Sequence, residues 1–225
     1  MDNEEWSPFA PPRRFPFTPP LTEGPAWSPD GRRIAFHARP GGINESFIVS
    51  ADGGKPERLP GTHPGDGISS WSRDGKWIYF RSYRTGKHQV WKVPAGGGDP
   101  VQITKQGGAY AVESPDGKFL YYSRPHSEDI EELWRIPVEG GEETRIIESV
   151  LFFSVVERGI YFFSGWEDPS VRCFNFATRK VETVAKVEGS VGYGFSVSPD
   201  SRWLLYVAPE GEKGQTDLML VEKFR

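Results

Sequence analysis

Four histidines are the residues of this chain best suited to bind a metal or to transfer a proton near neutral pH. They are His37, His63, His88 and His126, and no two have a short spacing such as His-x-x-x-His, which holds zinc on one element. The chain also lacks a Gly-x-Ser-x-Gly elbow, a His-Glu-x-x-His motif and a paired-cysteine pattern. The sequence therefore predicts no metal site, no cofactor and no catalysis.

The most regularly placed carboxylates belong to a recurring Ser-Pro-Asp-Gly turn or a close variant of it. Its aspartates are Asp30, Asp74, Asp116 and Asp200, at intervals of 44, 42 and 84 residues. Aspartate accepts hydrogen bonds from turn amides and the following glycine adopts positive φ, so the motif predicts a tight link between strands rather than acid–base chemistry. The double interval predicts a degenerate copy near residue 158.

Each turn precedes a short apolar or aromatic run, for example Trp77-Ile78-Tyr79-Phe80, which is typical of a strand. A second series of large apolar residues follows at steps of 40 to 45, and its members are Phe47, Trp91, Trp134, Phe174 and Met219. Four short antiparallel strands at this period form a propeller blade, which buries its faces only against its neighbours. The sequence predicts an all-β, five-bladed β-propeller of four-stranded antiparallel blades.

The fifth repeat lacks its outermost strand, because the chain ends at Arg225, shortly after the third. We expect residues 15–22 to supply that strand and complete the last blade, since an outermost strand tolerates proline. The propeller domain is then 15–225, and the acidic, Pro-rich residues 1–14 are expected to be disordered or draped over it. Two alternatives remain. The chain is a piece of a six- or seven-bladed ring, or it is a structural or relict fragment of a larger propeller.

Bulk composition limits the partners. Lys and Arg number 27 against 31 Asp and Glu, a net charge of −4, so the chain lacks the basic character that direct nucleic-acid binding requires. It has no apolar run long enough to cross a membrane and no signal peptide at its start, which predicts a soluble cytoplasmic protein. We also expect it to be a monomer. The single cysteine, Cys173, is expected to pack in the core.

The repeated Trp-Ser-Pro-Asp-Gly turn, the aromatic strand after it and a later Asp-Gly-Gly turn resemble the TolB-like propeller repeat over about residues 21–225. The resemblance implies a platform for a protein partner, here unidentified, and makes the periplasm an alternative location. Some propellers are metal-dependent lyases or lactonases that act at the channel mouth, which is the alternative function. For that role the predicted innermost strands offer only Glu113.

Features that do not repeat are the better candidates for function. The links between second and third strands share one end of the ring with the links between blades, and we expect that end to be a polar binding face. Its candidate residues are His37, Arg39, His63, Asp66, Arg84, His88, Arg124 and His126.

Two other groups are interpreted as structural. Trp27, Trp71, Trp91 and Trp134 recur in the repeats and are expected to pack between blades. The acidic run of Glu128, Asp129, Glu131 and Glu132 is expected to be a solvated loop.

Overall fold

The chain folds into five antiparallel sheets that follow one another along the sequence, as the repeats predict. The structure is a computed structural model that describes residues 22–126, 131–166, 169–187, 191–192, 194–210 and 215–222. Four sheets have four strands, and the fifth has three within these ranges. The fold is an all-β, five-bladed propeller.

The strands run from the axis outwards within each blade. Those of the first two blades are β1 (Thr22–Trp27), β2 (Arg33–Ala38), β3 (Glu45–Ser50) and β4 (Glu57–Arg58), then β5 (Gly67–Trp71), β6 (Trp77–Ser82), β7 (Gln89–Pro94) and β8 (Val101–Gln102). Those of the next two are β9 (Ala111–Glu113), β10 (Phe119–Pro125), β11 (Glu131–Pro137) and β12 (Thr144–Val150), then β13 (Phe153–Val156), β14 (Gly159–Phe163), β15 (Ser170–Asn175) and β16 (Val181–Lys186). The last blade has β17 (Phe195–Val197), β18 (Trp203–Glu210) and β19 (Gln215–Glu222).

The repeated turn has one hydrogen-bond pattern wherever it occurs. In the second blade the Ser72 hydroxyl donates to Asp74 Oδ1 at 2.7 Å, and the amides of Lys76 and Trp77 donate to Asp74 Oδ1 at 3.0 Å and Ser72 Oγ at 2.9 Å. The same bonds form in the first, third and fifth blades. The aspartates are therefore structural.

The degenerate fourth copy is a two-residue hairpin. Val156 pairs with Gly159, so residues 157 and 158 alone connect β13 to β14. The copy predicted near residue 158 is thus present, with a shorter turn.

The hydrophobic core is divided into clusters that lie between neighbouring blades. Ala35 of the first blade shares a cluster with Ile68 and Phe80 of the second, and Val171 of the fourth shares one with Leu204 of the fifth. Cys173 is buried in the latter, where burial raises the pKa of its thiol, as expected for a core cysteine. Each blade is stabilised by the apolar surface of the next, which is why five repeats form one ring.

The tryptophans behave as expected except for Trp27. Trp71 is buried and donates from Nε1 to the Ala26 carbonyl of the preceding blade at 2.9 Å, while Trp91 and Trp134 pack at the edges of inter-blade clusters. Trp27 is 59% exposed. Its partner in the ladder is Ile34, which packs against Phe36 and Phe47 of the same blade, so Trp27 is not buried between blades as predicted.

The predicted closing strand lies outside the described residues except for its last member. Thr22 begins β1 and pairs with Ala38, so it belongs to the first blade. In the described part of the chain, no helix has the length and apolarity to cross a membrane.

Candidate binding site

The predicted binding face is the end of the ring that carries the links from second to third strands and the links between blades; we call it the upper face. The structure places the eight predicted residues at or beside these links. Most of the charged ones, however, bind neighbouring protein groups.

Arg84 and Asp66 form a buried ion pair. Arg84 Nη2 lies 2.6 Å from Asp66 Oδ2, and the two side chains are 17% and 2% exposed. The carboxylate also accepts a hydrogen bond from the His63 amide at 2.7 Å, and the guanidinium stacks 4.7 Å above the ring of Trp91. The pair fixes the link between the first two blades, which is a structural role.

Arg124 is held in the same manner one blade later. It bonds to Glu143, donates to the Tyr122 hydroxyl at 2.9 Å and lies 3.7 Å above the ring of Trp134. Its side chain is only 11% exposed. Recognition of a ligand by this guanidinium would require breaking those contacts.

His37 and Arg39 share one carboxylate, that of Glu23. His37 Nε2 lies 3.4 Å and Arg39 Nη2 3.5 Å from Glu23 Oε2, and Arg39 Nε also donates to Asn44 at 2.7 Å. The His37 ring fits because residue 24 is glycine with φ of +60°: a Cβ there would lie 2.7 Å from Cε1 of the ring.

The other three histidines do not form a common site. The His63 side chain is exposed, His88 packs edge-on against Tyr83 at 5.1 Å, and His126 lies 3.9 Å from Glu132. The described residues contain no group of three or more His, Cys, Asp or Glu side chains placed to hold a metal ion.

An open cavity of about 360 Å³ lies at the upper end of the axis. Its walls come from four blades, and four of the nine lining residues are aromatic. The nine are Arg81, Ala109, Tyr110, Ser123, Glu131, Leu151, Phe152, Phe153 and Phe195. We call it the axial cavity. Tyr110 keeps 46% of its surface exposed, since its side chain faces this opening.

Two polar residues of this cavity have environments that the sequence analysis did not predict. Glu131 begins β11 and is half-buried, and burial raises the pKa of its carboxyl although Ser123 and Arg81 oppose the change. Arg81 is the second-to-last residue of β6, which ends at Ser82.

The acidic run was expected to be a solvated loop, which is wrong for Glu131 and Glu132. Glu132 is 6% exposed and accepts hydrogen bonds from Trp134 Nε1 at 2.8 Å and Arg145 at 2.9 Å. Glu128 and Asp129 lie outside the described residues. Residues 131 and 132 belong to the strand because their partners in β10 and β12 continue the ladder to that point.

Glu113 was the only channel carboxylate expected from the innermost strands, but it does not line the axial cavity. It is 4% exposed and lies between the second and third blades, where it accepts hydrogen bonds from Tyr79 and Arg73. Side chains on the innermost strands alternate in direction, and that of Glu113 points into the neighbouring blade.

A family model for the TolB beta propeller domain matches residues 17–151, more than half of the chain. The chain belongs to the TolB β-propeller domain family. No curated protein sequence matches it significantly.

Solved structures share the TolB-like fold at low identity. A TolB-type protein from Agrobacterium tumefaciens superposes with a TM-score of 0.75 at 21% identity, over 92% of this chain and 79% of that one. TolB from Acinetobacter baumannii gives 0.70 at 20% identity, over 88% of this chain and 51% of that one. An oligogalacturonate lyase in complex with manganese gives 0.64 at 14% identity, over 89% and 65% of the two chains. The fold is therefore shared with at least one enzyme, the lyase.

The sequence signal for the axial site of this TolB-family domain was present but weak. Arg81 stands nine residues after the motif serine of its blade, where the other copies of the motif have His37, Ser123 and Val207. A charged residue at that position is unique to the second blade. The repeat pattern marks second strands as structural, so it gives no reason to single out a residue near the end of one.

Proposed function

We propose that this TolB-family propeller is a non-catalytic binding module that recognises a protein partner on its upper face, with the axial cavity at the centre of the contact. The observation that carries the proposal is the convergence of four blades on one open cavity with aromatic walls and a few polar groups. That composition is typical of ligand sites.

Exposed apolar side chains around the cavity support a protein partner. Four large ones lie at the upper face: Ile43 (58% exposed), Tyr83 (59%), Tyr110 (46%) and Trp166 (38%). Tyrosine and tryptophan are enriched among the residues that contribute most to binding energy in protein interfaces. Their position around one opening favours a contact that covers the cavity mouth.

The metal-dependent lyase alternative receives less support from the geometry. Such an enzyme needs several carboxylate or imidazole ligands facing one point. Glu113 points between blades, and the histidines within the described ranges lie apart. We therefore place the binding module first.

The remaining partner and location predictions follow the sequence. Because the net charge is −4, we propose no direct contact with nucleic acid or with a membrane. We also propose that the protein is a monomer without a cofactor. Its proposed location is the cytoplasm, with the periplasm as the alternative. Fractionation of cells that express the chain from its own gene would separate the two compartments.

Site-specific photo-crosslinking in the natural host tests the proposal. A photoreactive amino acid at position 110 should crosslink one protein that a probe at position 181 does not, because Val181 is equally exposed at 46% but lies on an outermost strand. With the purified partner, Tyr110→Ala should weaken binding about tenfold or more. Identical products from both positions, or none from position 110, would refute recognition at the upper face.

A further inference from the structure

The guanidinium of Arg81 forms no ion pair with the described residues, although its charge acts on the nearby Glu131 carboxyl. No carboxylate of the described ranges lies within 4.0 Å of it, whereas Arg84 and Arg124 each have one. Its Nε is buried and has no hydrogen-bond partner. A buried donor without a partner is destabilising, so a protein retains one where a ligand satisfies it or where selection does not act.

The position of this guanidinium points to a ligand. Arg81 lines the axial cavity, together with Ser123 and Glu131. Gly67 is adjacent: a Cβ on that glycine would lie at ordinary contact distance from both neighbours, 3.6 Å from Arg81 Nη2 and 3.8 Å from His37 Cε1. Arg81 is half-buried and lines the cavity, so a ligand in the opening can reach its side chain.

The neighbouring titratable groups add little charge to that of Arg81. Burial, assisted by Arg81 itself, lowers the pKa of His88. Burial also lowers the pKa of His37, with Glu23 opposing and Arg81 assisting. Both imidazoles are therefore neutral near pH 7, and each has a buried Nδ1 without a hydrogen-bond partner. Among the described residues, Glu131 and Glu23 are the acidic groups that act on Arg81 or on these histidines.

We infer that the axial cavity binds a carboxylate group through the Arg81 guanidinium, with the apolar group next to that carboxylate seated against Tyr110, Phe152 and Phe153. The inference rests on the proposed function, since it names the chemistry that the partner inserts. One cation matches one negative charge, and guanidinium and carboxylate form paired hydrogen bonds. A phosphate dianion would need a second cation, and Arg81 is the only cationic residue among the described residues that line the cavity.

Two sources can supply this chemistry, a chain terminus or acidic side chain of a protein and a free organic acid. Three matched pairs of probes separate them. They are acetyl-Gly-Gly-Phe with a free carboxylate and its C-terminal amide, acetyl-Phe-Glu-Gly-amide and its glutamine analogue, and 3-phenylpropanoate and its amide. Titration of the full-length protein followed by NMR gives the Kd of each and shows whether resonances of the axial cavity move.

We expect at least one acid of these pairs to bind at least tenfold more tightly than its neutral partner. Arg81→Met should weaken that acid about 10-fold to 100-fold and leave its neutral partner unchanged. The control is Arg172→Met, since Arg172 is also half-buried with an unpartnered Nε but does not line the axial cavity. This control should bind like wild type.

Stability provides a second measurement. Because Arg81 forms no ion pair with the described residues, Arg81→Met breaks no such pair, and the Tm of the ligand-free protein should stay the same or rise. A marked fall in Tm would overturn the inference, since it would show that Arg81 is a structural residue.

Other outcomes are equally decisive. Equal binding of every acid and its neutral partner, or stronger displacement by inorganic phosphate than by acetate, would overturn the carboxylate assignment. A protein crosslinked from position 110 together with no acid binding would refute this inference alone. Binding of 3-phenylpropanoate without any crosslinked protein would refute the proposed protein partner but retain the carboxylate site.

Discussion

Tyr79 of the second blade donates a 2.6 Å hydrogen bond from its hydroxyl to Glu113 Oε1 of the third blade. The other carboxylate oxygen accepts a hydrogen bond from the Arg73 amide at 2.7 Å. Both side chains are buried, and burial, reinforced by the carboxylate, raises the pKa of the Tyr79 hydroxyl. A single acid thus joins two blades through two hydrogen bonds.

Removal of this acid should weaken the seam between the two blades. Glu113→Ala leaves the buried Tyr79 hydroxyl and the Arg73 amide without their acceptor and should lower the free energy of unfolding by about 3 kcal/mol, and Tyr79→Phe by about 1 kcal/mol. Urea denaturation of both variants and of the double variant measures the coupling. If the two effects simply add, the hydrogen bond does not join the blades energetically.

The ion pair between Arg84 and Asp66 should prove structural. Arg84→Met leaves the Asp66 carboxylate buried without its cation, so we expect a loss of about 3 to 5 kcal/mol in urea denaturation. Arg73→Met is the matched control because the Arg73 side chain is exposed, and its effect should stay within about 0.5 kcal/mol. Arg84→Met with wild-type stability but impaired partner binding would restore Arg84 as a contact residue.

Two glycines with nearly equal φ should respond differently to alanine. Gly61 has φ of +88° and a Cβ there would lie 2.1 Å from the Gly98 carbonyl oxygen, whereas Gly86 has φ of +86° and open space around it. Gly86→Ala should cost about 1 kcal/mol of backbone strain. Gly61→Ala should cost about 1 to 3 kcal/mol more, because the new Cβ would collide with the Gly98 carbonyl and the backbone would have to shift. Equal Tm values for the two variants would contradict this packing.

The four motif aspartates should contribute fully to stability above their ordinary pKa of 3.8 and progressively less below it. Serine hydroxyls and turn amides lower the pKa of each carboxyl in the fold, and the four are Asp30, Asp74, Asp116 and Asp200. A carboxyl whose pKa is lower in the folded state than in the unfolded state stabilises the fold. This stabilisation is complete at pH values above the unfolded-state pKa, and it is lost as the pH falls through the folded-state pKa.

Asp74→Asn tests that sign. Urea denaturation from pH 7 to pH 3 should show the variant less stable at pH 7 and the gap to wild type narrowing below about pH 4. A gap that is constant or widens as pH falls would mean that protonation of Asp74 does not matter to folding.

The N-terminal closing strand is tested by two deletions. Removal of residues 1–14 should leave the Tm unchanged, whereas removal of residues 1–21 should lower it and promote aggregation, because the edge of the fifth blade would lose its predicted fourth strand. Thermal unfolding and light scattering measure both effects. If the protein without residues 1–21 has the same Tm as the full-length protein, the N-terminal segment does not complete the fifth blade.

The repeat architecture could be predicted because its signals are local. Ser72, Asp74 and Gly75 form their turn within four residues, and the same letters at a period of 42 to 44 mark the strands on either side. Even the degenerate copy at 157–158 could be placed from spacing alone. Blade number and strand order therefore followed from the sequence.

The candidate site was only partly predictable. The sequence located the upper face and the polar residues upon it, but their partners come from distant positions, as Arg124 and Glu143 show. Whether an arginine forms an ion pair depends on such contacts. No spacing rule in the sequence predicts that Arg84 pairs with Asp66, or that Arg81 has no ion pair among the described residues.

The sequence by itself thus determined the fold of this protein, because turns and strand alternation depend on neighbours along the chain. Only the tertiary structure decided where the functional chemistry lies. Closing the ring brings together the ends of strands from four blades, and with them Arg81, Tyr110 and Phe153 at one opening. Burial and charge pairing at that opening arise from residues far apart in the chain.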